Sequence, residues 1–336
     1  ERKIKWQTKQ QALKKIVAEP AVTESGDMFH LNVNVNSLLE LDQIPDQGTS
    51  GIGLFRTEFI YMDRKSMPSE DEQYEIYKKV AEKMNGKPVV IRTLDTGGDK
   101  KLDYFQYPQE DNPFLGYRAI RISLDHPGQF KTQMKAIMRA GVHGNVKMMY
   151  PMISSVDEVR QAKALLLEAK EELARRNVPY DEHIETGIMI EIPSAALHAD
   201  WLAEEVDFFS IGTNDLVQYV LAVDRMNEHI ARLYDPFHPA VIKMLEMTVS
   251  AAQRHGIGIS VCGEIAGDVR ALPLWLGLGV RHLSMSLPSL LQVKHEIINI
   301  DEQKANEQYK QMMSCRTVKE MHALLSNSQI PKRKDA

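Results

Sequence analysis

From His30 onward the chain alternates short apolar runs with longer amphipathic stretches. The apolar runs fall at 30–36 (HLNVNVN), 51–56 (GIGLFR), 88–94 (PVVIRTL), 145–151 (NVKMMYP), 187–192 (GIMIEI), 206–211 (VDFFSI), 258–262 (GISVC) and 282–286 (HLSMS). Most are apolar along their whole length, as parallel strands covered on both faces are. The stretches between them carry helix signals. Ser69 and Glu72, with Pro68 just before, form a capping box ahead of a helix over 70–84, and Ser155 with Glu158 repeats the device. Val159, Ala162, Leu166, Ala169 and Leu173 then follow at three- and four-residue spacing, which gives one apolar face. Pro239 opens another helix, Val241, Leu245, Val249 and Ala252 share a stripe on it, and Gly256 ends it. Eight strands alternating with helices predict an α/β fold, a (β/α)8 TIM-type barrel. A doubly wound open sheet is the alternative that strand count leaves open.

The ends of the chain read differently. Residues 1–19 place Ile4, Trp6, Leu13, Ile16 and Val17 at helical spacing, and Pro20 stops that helix. So few apolar positions cannot bury it alone, which predicts an N-terminal linker helix lying against something else. The expected organisation is a linker segment over 1–22, a barrel over 23–300 and a polar peripheral tail over 301–336 with one or two helices.

Composition narrows the classes. Hydrophobic residues make up 43% of the 336, enough for a large core, so disorder is not the main state. A net charge of −5 excludes a dedicated nucleic-acid binder. No apolar run reaches the roughly 18 residues of a membrane span. Two cysteines, Cys262 and Cys315, exclude a disulfide framework, and a reducing cytoplasm is the natural setting. The chain opens at Glu1 without an initiator Met, and a fragment of a longer protein is expected.

In a barrel the active site gathers at the C-terminal ends of the strands. Here those ends carry Arg56-Thr57-Glu58, Arg92-Thr93-Leu94-Asp95 followed by Gly97-Gly98-Asp99-Lys100, Glu191, Thr213-Asn214-Asp215, Cys262-Gly263-Glu264, and Ser284 with Ser286. A lone Arg at a strand end is ordinarily a surface ion-pair partner, and a lone Cys ordinarily core. It is the convergence of such groups on one rim that predicts a site. Arg56 and Arg92, with Lys100, Arg118 and Arg225 on adjoining loops, repel one another unless a multiply charged anion sits among them, and phosphate matches the guanidinium fork. Glu191 and Asp215 beside such a site suit a hard divalent cation, Mg2+ above all. These groups predict a metal-assisted phosphate-ester or phosphoryl-transfer site.

The segments GIGLFRTEFIYMDR (51–64), RTLDTGGDK (92–100), NPFLGYRAIRISL (112–124), GIMIEIPSAA (187–196), DFFSIGTNDLVQYVLAVDR (207–225) and CGEIAGD (262–268) resemble enzyme I of the phosphoenolpyruvate-dependent phosphotransferase system. They match its C-terminal, phosphoenolpyruvate-binding domain, from about Pro20 to about Asp301. The pyruvate phosphate dikinases and phosphoenolpyruvate synthases share the barrel, but the FRTEF, GGDK and CGEIAGD blocks read as enzyme I.

The resemblance implies roles. Arg56, Arg92, Arg118 and Arg225 would bind phosphate and carboxylate, with Lys100 from the GGDK loop. Glu191 and Asp215 would ligate Mg2+, and Asn214 would meet the phosphate by side chain or backbone. Cys262 would protonate the enolate methylene carbon to give pyruvate, and Arg225 counts with it among the catalytic groups. Val217 stands where that family usually has Thr, and Leu287-Pro288 alters the loop after the last strand.

The implied partners are phosphoenolpyruvate, an N-terminal phosphohistidine domain and, through it, the histidine phosphocarrier protein. A homodimer is implied as well. None of the 11 histidines here follows a Ser, so the acceptor histidine with its Thr-Ser-His setting is absent from this sequence. The alternatives are a non-catalytic phosphoenolpyruvate-sensing dimerisation module, the related C-terminal barrel of a pyruvate phosphate dikinase or phosphoenolpyruvate synthase, and an unrelated phosphate-binding barrel.

Overall fold

In the computed structural model, which describes residue 13 and residues 15–44, 48–98 and 100–327, one strand closes the sheet. β2 (Met28–Val35) pairs in parallel with both β3 (Gly51–Phe55) and β9 (His282–Met285). β4 (Val89–Arg92), β5 (Val146–Tyr150), β6 (Thr186–Ile190), β7 (Phe208–Ile211) and β8 (Gly258–Val261) run between β3 and β9 in chain order, all parallel. The closed pairing makes a (β/α)8 barrel and excludes the open sheet. All eight predicted strands are present, with ends displaced by at most two residues. The short β1 (Ala21–Val22) escaped the sequence reading. It pairs antiparallel with β2, Ala21 opposite Phe29, across a turn where Gly26 has φ 96°.

Burial explains why the strands read as unbroken apolar runs. β3, β6 and β7 are buried at every position. Outward side chains meet the helices in the main core, while Leu54, Met149, Met189, Phe208 and Cys262 form a separate cluster inside the barrel. The site rests on that plug.

The helices start and stop where their capping residues stand. Glu70–Met84 and Val156–Arg175 both begin with complete capping boxes, Ser69–Glu72 and Ser155–Glu158. The Val156–Arg175 helix buries Val159, Ala162, Leu166, Ala169 and Leu173. A Ser155→Ala chain is expected to lose about 1 kcal/mol, read as a lower urea midpoint at unchanged slope. An unchanged midpoint would show that packing alone sets the start of that helix. The Pro239–His255 helix is capped by His238, whose Nδ1 accepts from Ala240 N at 3.1 Å, and Gly256 ends it at φ 67°.

The tail is less peripheral than its polarity predicts. Helices Glu302–Ser314 and Val318–Asn327 bury Ala305, Met312, Met321 and Leu325. Tyr309 packs so closely on Gly277 that a Cβ there would fall 2.1 Å from its ring. The predicted linker helix lies mainly outside the described residues, although Leu13 is helical and buried. The segment after it is tied to the barrel by Lys294, whose Nζ donates to Val17 O (2.9 Å), Glu19 O (2.9 Å) and Gly48 O (3.2 Å). Among the described residues no helix is long and apolar enough to cross a membrane.

Candidate active site

Because the eight barrel strands run parallel, every residue just past a strand arrives at the same rim. Arg56 follows β3, Arg92 ends β4, Glu191 follows β6, Asn214 and Asp215 begin the Thr213–Leu221 helix after β7, and Cys262 follows β8. Arg56, Arg92, Lys100, Glu191, Asn214, Asp215, Arg225 and Cys262 line one cavity of about 40 Å³. These are eight of the nine residues expected from the sequence. The ninth, Arg118, donates to both oxygens of Asp95 (3.0 and 3.2 Å) and lies 3.6 Å from Asp215. An adjoining cavity of about 560 Å³ shares Arg56, Asn214 and Cys262, which gives the small one room toward solvent. A separate cavity of about 870 Å³, against the Val318–Asn327 helix, touches none of the nine.

The cations are held apart by protein carboxylates as well as by any anion they bind. Arg92 pairs with Glu58 and, at 3.1 Å, with Asp95. Lys100 reaches Glu58 at 2.9 Å and Asp95 at 3.3 Å. Burial opposes ionisation of Asp95, but Lys100, Arg118 and Arg92 outweigh it and hold its carboxyl well below the usual range. Glu58 is likewise buried and kept below its ordinary value by Arg92 and Lys100. Arg56 stands outside this lattice. Its Nη1 donates to the neutral Asn36 Oδ1 at 2.6 Å, which leaves its positive charge for a guest. Arg225, 3.8 Å from Asp215 Oδ1, is only loosely paired.

The two carboxylates expected to hold metal sit deep in the same cavity. Glu191 Oε1 accepts from Met152 N at 2.7 Å, and Met152 adopts φ 57° to present that N–H. Such a conformation costs a non-glycine residue about 1–2 kcal/mol. Burial, then the neighbouring Asp215 and Asp95 charges, push Glu191 up to about 8. Gly212 leaves it room, since a Cβ there would come 2.8 Å from Glu191 Oε2. Asp215 Oδ1 is buried and takes no hydrogen bond. Two crowded carboxylates, one with an unsatisfied oxygen, fit a hard cation that takes one or two carboxylates plus substrate oxygens. Among the described residues no cluster of three or more His, Cys, Asp or Glu side chains that could hold a metal ion is found.

Asn214 and Cys262 complete the wall. Asn214 Oδ1 accepts from Glu264 N at 2.9 Å, so its Nδ2 remains a donor, with Glu264 Oε1 only at 3.5 Å. Cys262 is 3% exposed, and burial pushes its thiol up to about 11, so it is protonated at neutral pH.

Residues 10–302 match the family model described as PEP-utilising enzyme, PEP-binding domain. The chain belongs to that family. Its relatives include the phosphoenolpyruvate-protein phosphotransferase of Bacillus sp. (strain S), 47% identical over 96% of this chain and 56% of the relative. The proteins of that name from Bacillus subtilis (46%, covering 94% and 55%) and Lactococcus lactis subsp. cremoris (48%, covering 90% and 53%) are similar to the same extent. The chain thus spans about half the length of the curated relatives it matches. Among solved structures, a HpcH/HpaI aldolase/citrate lyase family protein from Burkholderia cenocepacia aligns with a TM-score of 0.50 at 14% identity, over 84% of this chain and 95% of that one. A citrate lyase from Burkholderia xenovorans aligns at 0.51 and 15%, over 86% and 81%. At that identity the likeness concerns the barrel alone.

For this PEP-binding domain the sequence reading named the residues that face the cavity and missed those behind them. Glu58 and Asp95 stand at strand ends in the same FRTE and RTLD segments, but no role was expected for them. The available signal was an acid two residues past Arg56 and another three past Arg92. Tyr219, whose hydroxyl accepts from Arg118 at 3.2 Å and donates to Phe114 O, had no such signal.

Proposed function

We propose that this chain binds phosphoenolpyruvate and Mg2+ and supplies the substrate for phosphoryl transfer to a histidine on an N-terminal domain, with release of pyruvate. The observation that carries this reading is the single cavity walled by four cations, two carboxylates, an amide and a thiol. In this reading Arg56, Arg92, Arg225, Lys100 and the Nδ2 of Asn214 hold the phosphate and carboxylate, and Arg118 steadies Asp95 and Asp215 behind them. Glu191 and Asp215 hold the cation. Mg2+, when bound, offsets negative charge on the phosphate and on the departing enolate oxygen. The bond between phosphorus and the enol oxygen breaks, the phosphoryl group passes to the imidazole nitrogen, and C3 takes its proton from Cys262 Sγ. The thiolate left behind is reprotonated from solvent.

We also propose residues 1–22 as a linker, 23–300 as the barrel and 301–336 as a tail, a homodimer as the assembly and the cytoplasm as the setting. The histidine phosphocarrier protein would be the partner beyond the N-terminal domain.

The test mixes the chain with the N-terminal domain of a phosphoenolpyruvate-protein phosphotransferase, phosphoenolpyruvate and Mg2+. Phosphohistidine and pyruvate are expected. Saturable binding with no pyruvate would replace the proposal with a sensing module, and no binding would leave an unrelated phosphate-binding barrel. The metal assignment has its own test. Glu191→Gln is expected to weaken Mg2+-dependent binding of phosphoenolpyruvate at least about tenfold, because one of two charged ligands is lost. Equal titrations of variant and unaltered chain, with and without Mg2+, would overturn the ligand assignment.

A further inference from the structure

Protonating one carbon atom requires the Cys262 thiol to be aimed, and a cysteine side chain is aimed by the peptide that carries it. Pairing between β8 and β9 stops at Val261 opposite Leu283, one residue short of Cys262. On the β7 side, Cys262 N donates to Ile211 O at 3.1 Å. On the other side the strand ladder has ended, and a side chain from β2 takes its place. Asn34 Nδ2 donates to Cys262 O at 2.9 Å. Ser284 Oγ, on β9 between them, donates to Asn34 Oδ1 at 2.6 Å. A carbonyl only accepts, so Nδ2 faces Cys262 O and Oδ1 is left to accept from the Ser284 hydroxyl. Gly53 makes the room: a Cβ at that position would fall 2.5 Å from Ser284 Oγ. The next residue along is held as tightly, since a Cβ on Gly263 would fall 1.7 Å from Thr213 Oγ1. Cys262 is therefore held by its N–H from β7 on one side and by its C=O from β2, through Ser284 of β9, on the other.

We infer that Asn34, oriented by Ser284, is the positioning residue for the Cys262 thiol. It fixes the backbone so that Sγ, which donates to Ile211 O at 3.6 Å, keeps its place in the cavity wall. The inference rests on the proposed role of Cys262 as proton donor. Asn34 acts through the Cys262 backbone, so its removal moves the thiol and leaves the phosphate-binding cations in place. A displacement on the order of 1 Å at a reacting atom costs about 100-fold in rate.

The experiment uses the chain with an N-terminal phosphohistidine domain, phosphoenolpyruvate and Mg2+, and follows pyruvate. Asn34→Ala is expected to lower kcat about 10- to 100-fold with KM for phosphoenolpyruvate unchanged. Ser284→Ala is expected to lower it less in the same direction, and Ser284→Thr, which keeps the hydroxyl, to restore it. The deciding measurement is the double variant. In a Cys262→Ala chain, Asn34→Ala is expected to add no further loss, because no thiol remains to be aimed. Full additivity of the two losses would overturn the inference, as would a raised KM at unchanged kcat. Unchanged kcat in Asn34→Ala beside a slow Cys262→Ala chain would overturn it alone, whereas normal turnover in Cys262→Ala would overturn the proton-donor reading beneath it. If Asn34→Ala does not fold, the same cycle with Ser284→Ala and Cys262→Ala decides the matter.

Discussion

A Cys262→Ala chain, given an N-terminal phosphohistidine domain, phosphoenolpyruvate and Mg2+, is expected to form pyruvate about 100- to 10,000-fold more slowly than the unaltered chain. Phosphoenolpyruvate binding measured by calorimetry should be unchanged. The expectation follows from what the thiol can and cannot do. Its burial pushes it up to about 11, so it carries its proton throughout the neutral range and stands ready as an acid. It offers no charge to a phosphate, which in the proposed function the arginines and Lys100 would hold. Other acids at the cavity are engaged elsewhere: Lys100 in its pairs with Glu58 and Asp95, Glu191 in its bond from Met152 and in the proposed metal site. Truncation to Ala removes one sulfur from the interior cluster of Leu54, Met149, Met189 and Phe208, a small loss of packing that a melting curve can check. A residual rate is expected, because enolpyruvate that escapes takes its proton from water. Pyruvate formation at the unaltered rate would remove Cys262 from the mechanism.

How much of this was legible beforehand depends on which force set each feature. The barrel was legible because burial on both faces of a parallel strand leaves an apolar run, and because Ser69, Ser155 and Gly256 mark helix ends by local hydrogen bonding and backbone conformation. The cavity wall was legible because strand ends in a barrel share one rim. β1 was not, since two residues paired across a turn leave no period to detect. Nor were the partners behind the wall. Asn34 reaches Cys262 across 228 positions, and Glu58 reaches Arg92 across 34, so neither contact leaves a local pattern. The expectation that crowded cations demand a ligand was incomplete for the same reason: Glu58 and Asp95 supply part of the counter-charge from within the protein.

That internal counter-charge leads to the second large effect, on stability rather than turnover. Asp95→Ala is expected to destabilise the fold by about 3–5 kcal/mol, the cost of breaking a buried ion pair from one side. Asp95 is 1% exposed and faces Arg92 at 3.1 Å, Arg118 at 3.0 Å and Lys100 at 3.3 Å. Without it, Arg92 and Arg118, each 3% exposed or less, keep charges that burial penalises, with Glu58 and Asp215 as their remaining partners. Asp95→Asn keeps the shape and isolates the charge, so it should recover only a minor part of the loss. Removing the opposite side as well should recover more: Asp95→Ala with Arg118→Met leaves fewer unpaired buried charges than Asp95→Ala alone. The pH dependence has a definite sign. The cations hold the Asp95 carboxyl below its unfolded value of about 3.9, so its contribution is complete above that pH and fades as pH falls further. The Asp95→Asn chain should therefore lose less stability than the unaltered chain as the pH falls from about 4 into strongly acidic solution. Unfolding free energies from urea titration at neutral pH within about 1 kcal/mol of the unaltered chain would show that Glu58 and Asp215 alone balance the arginines.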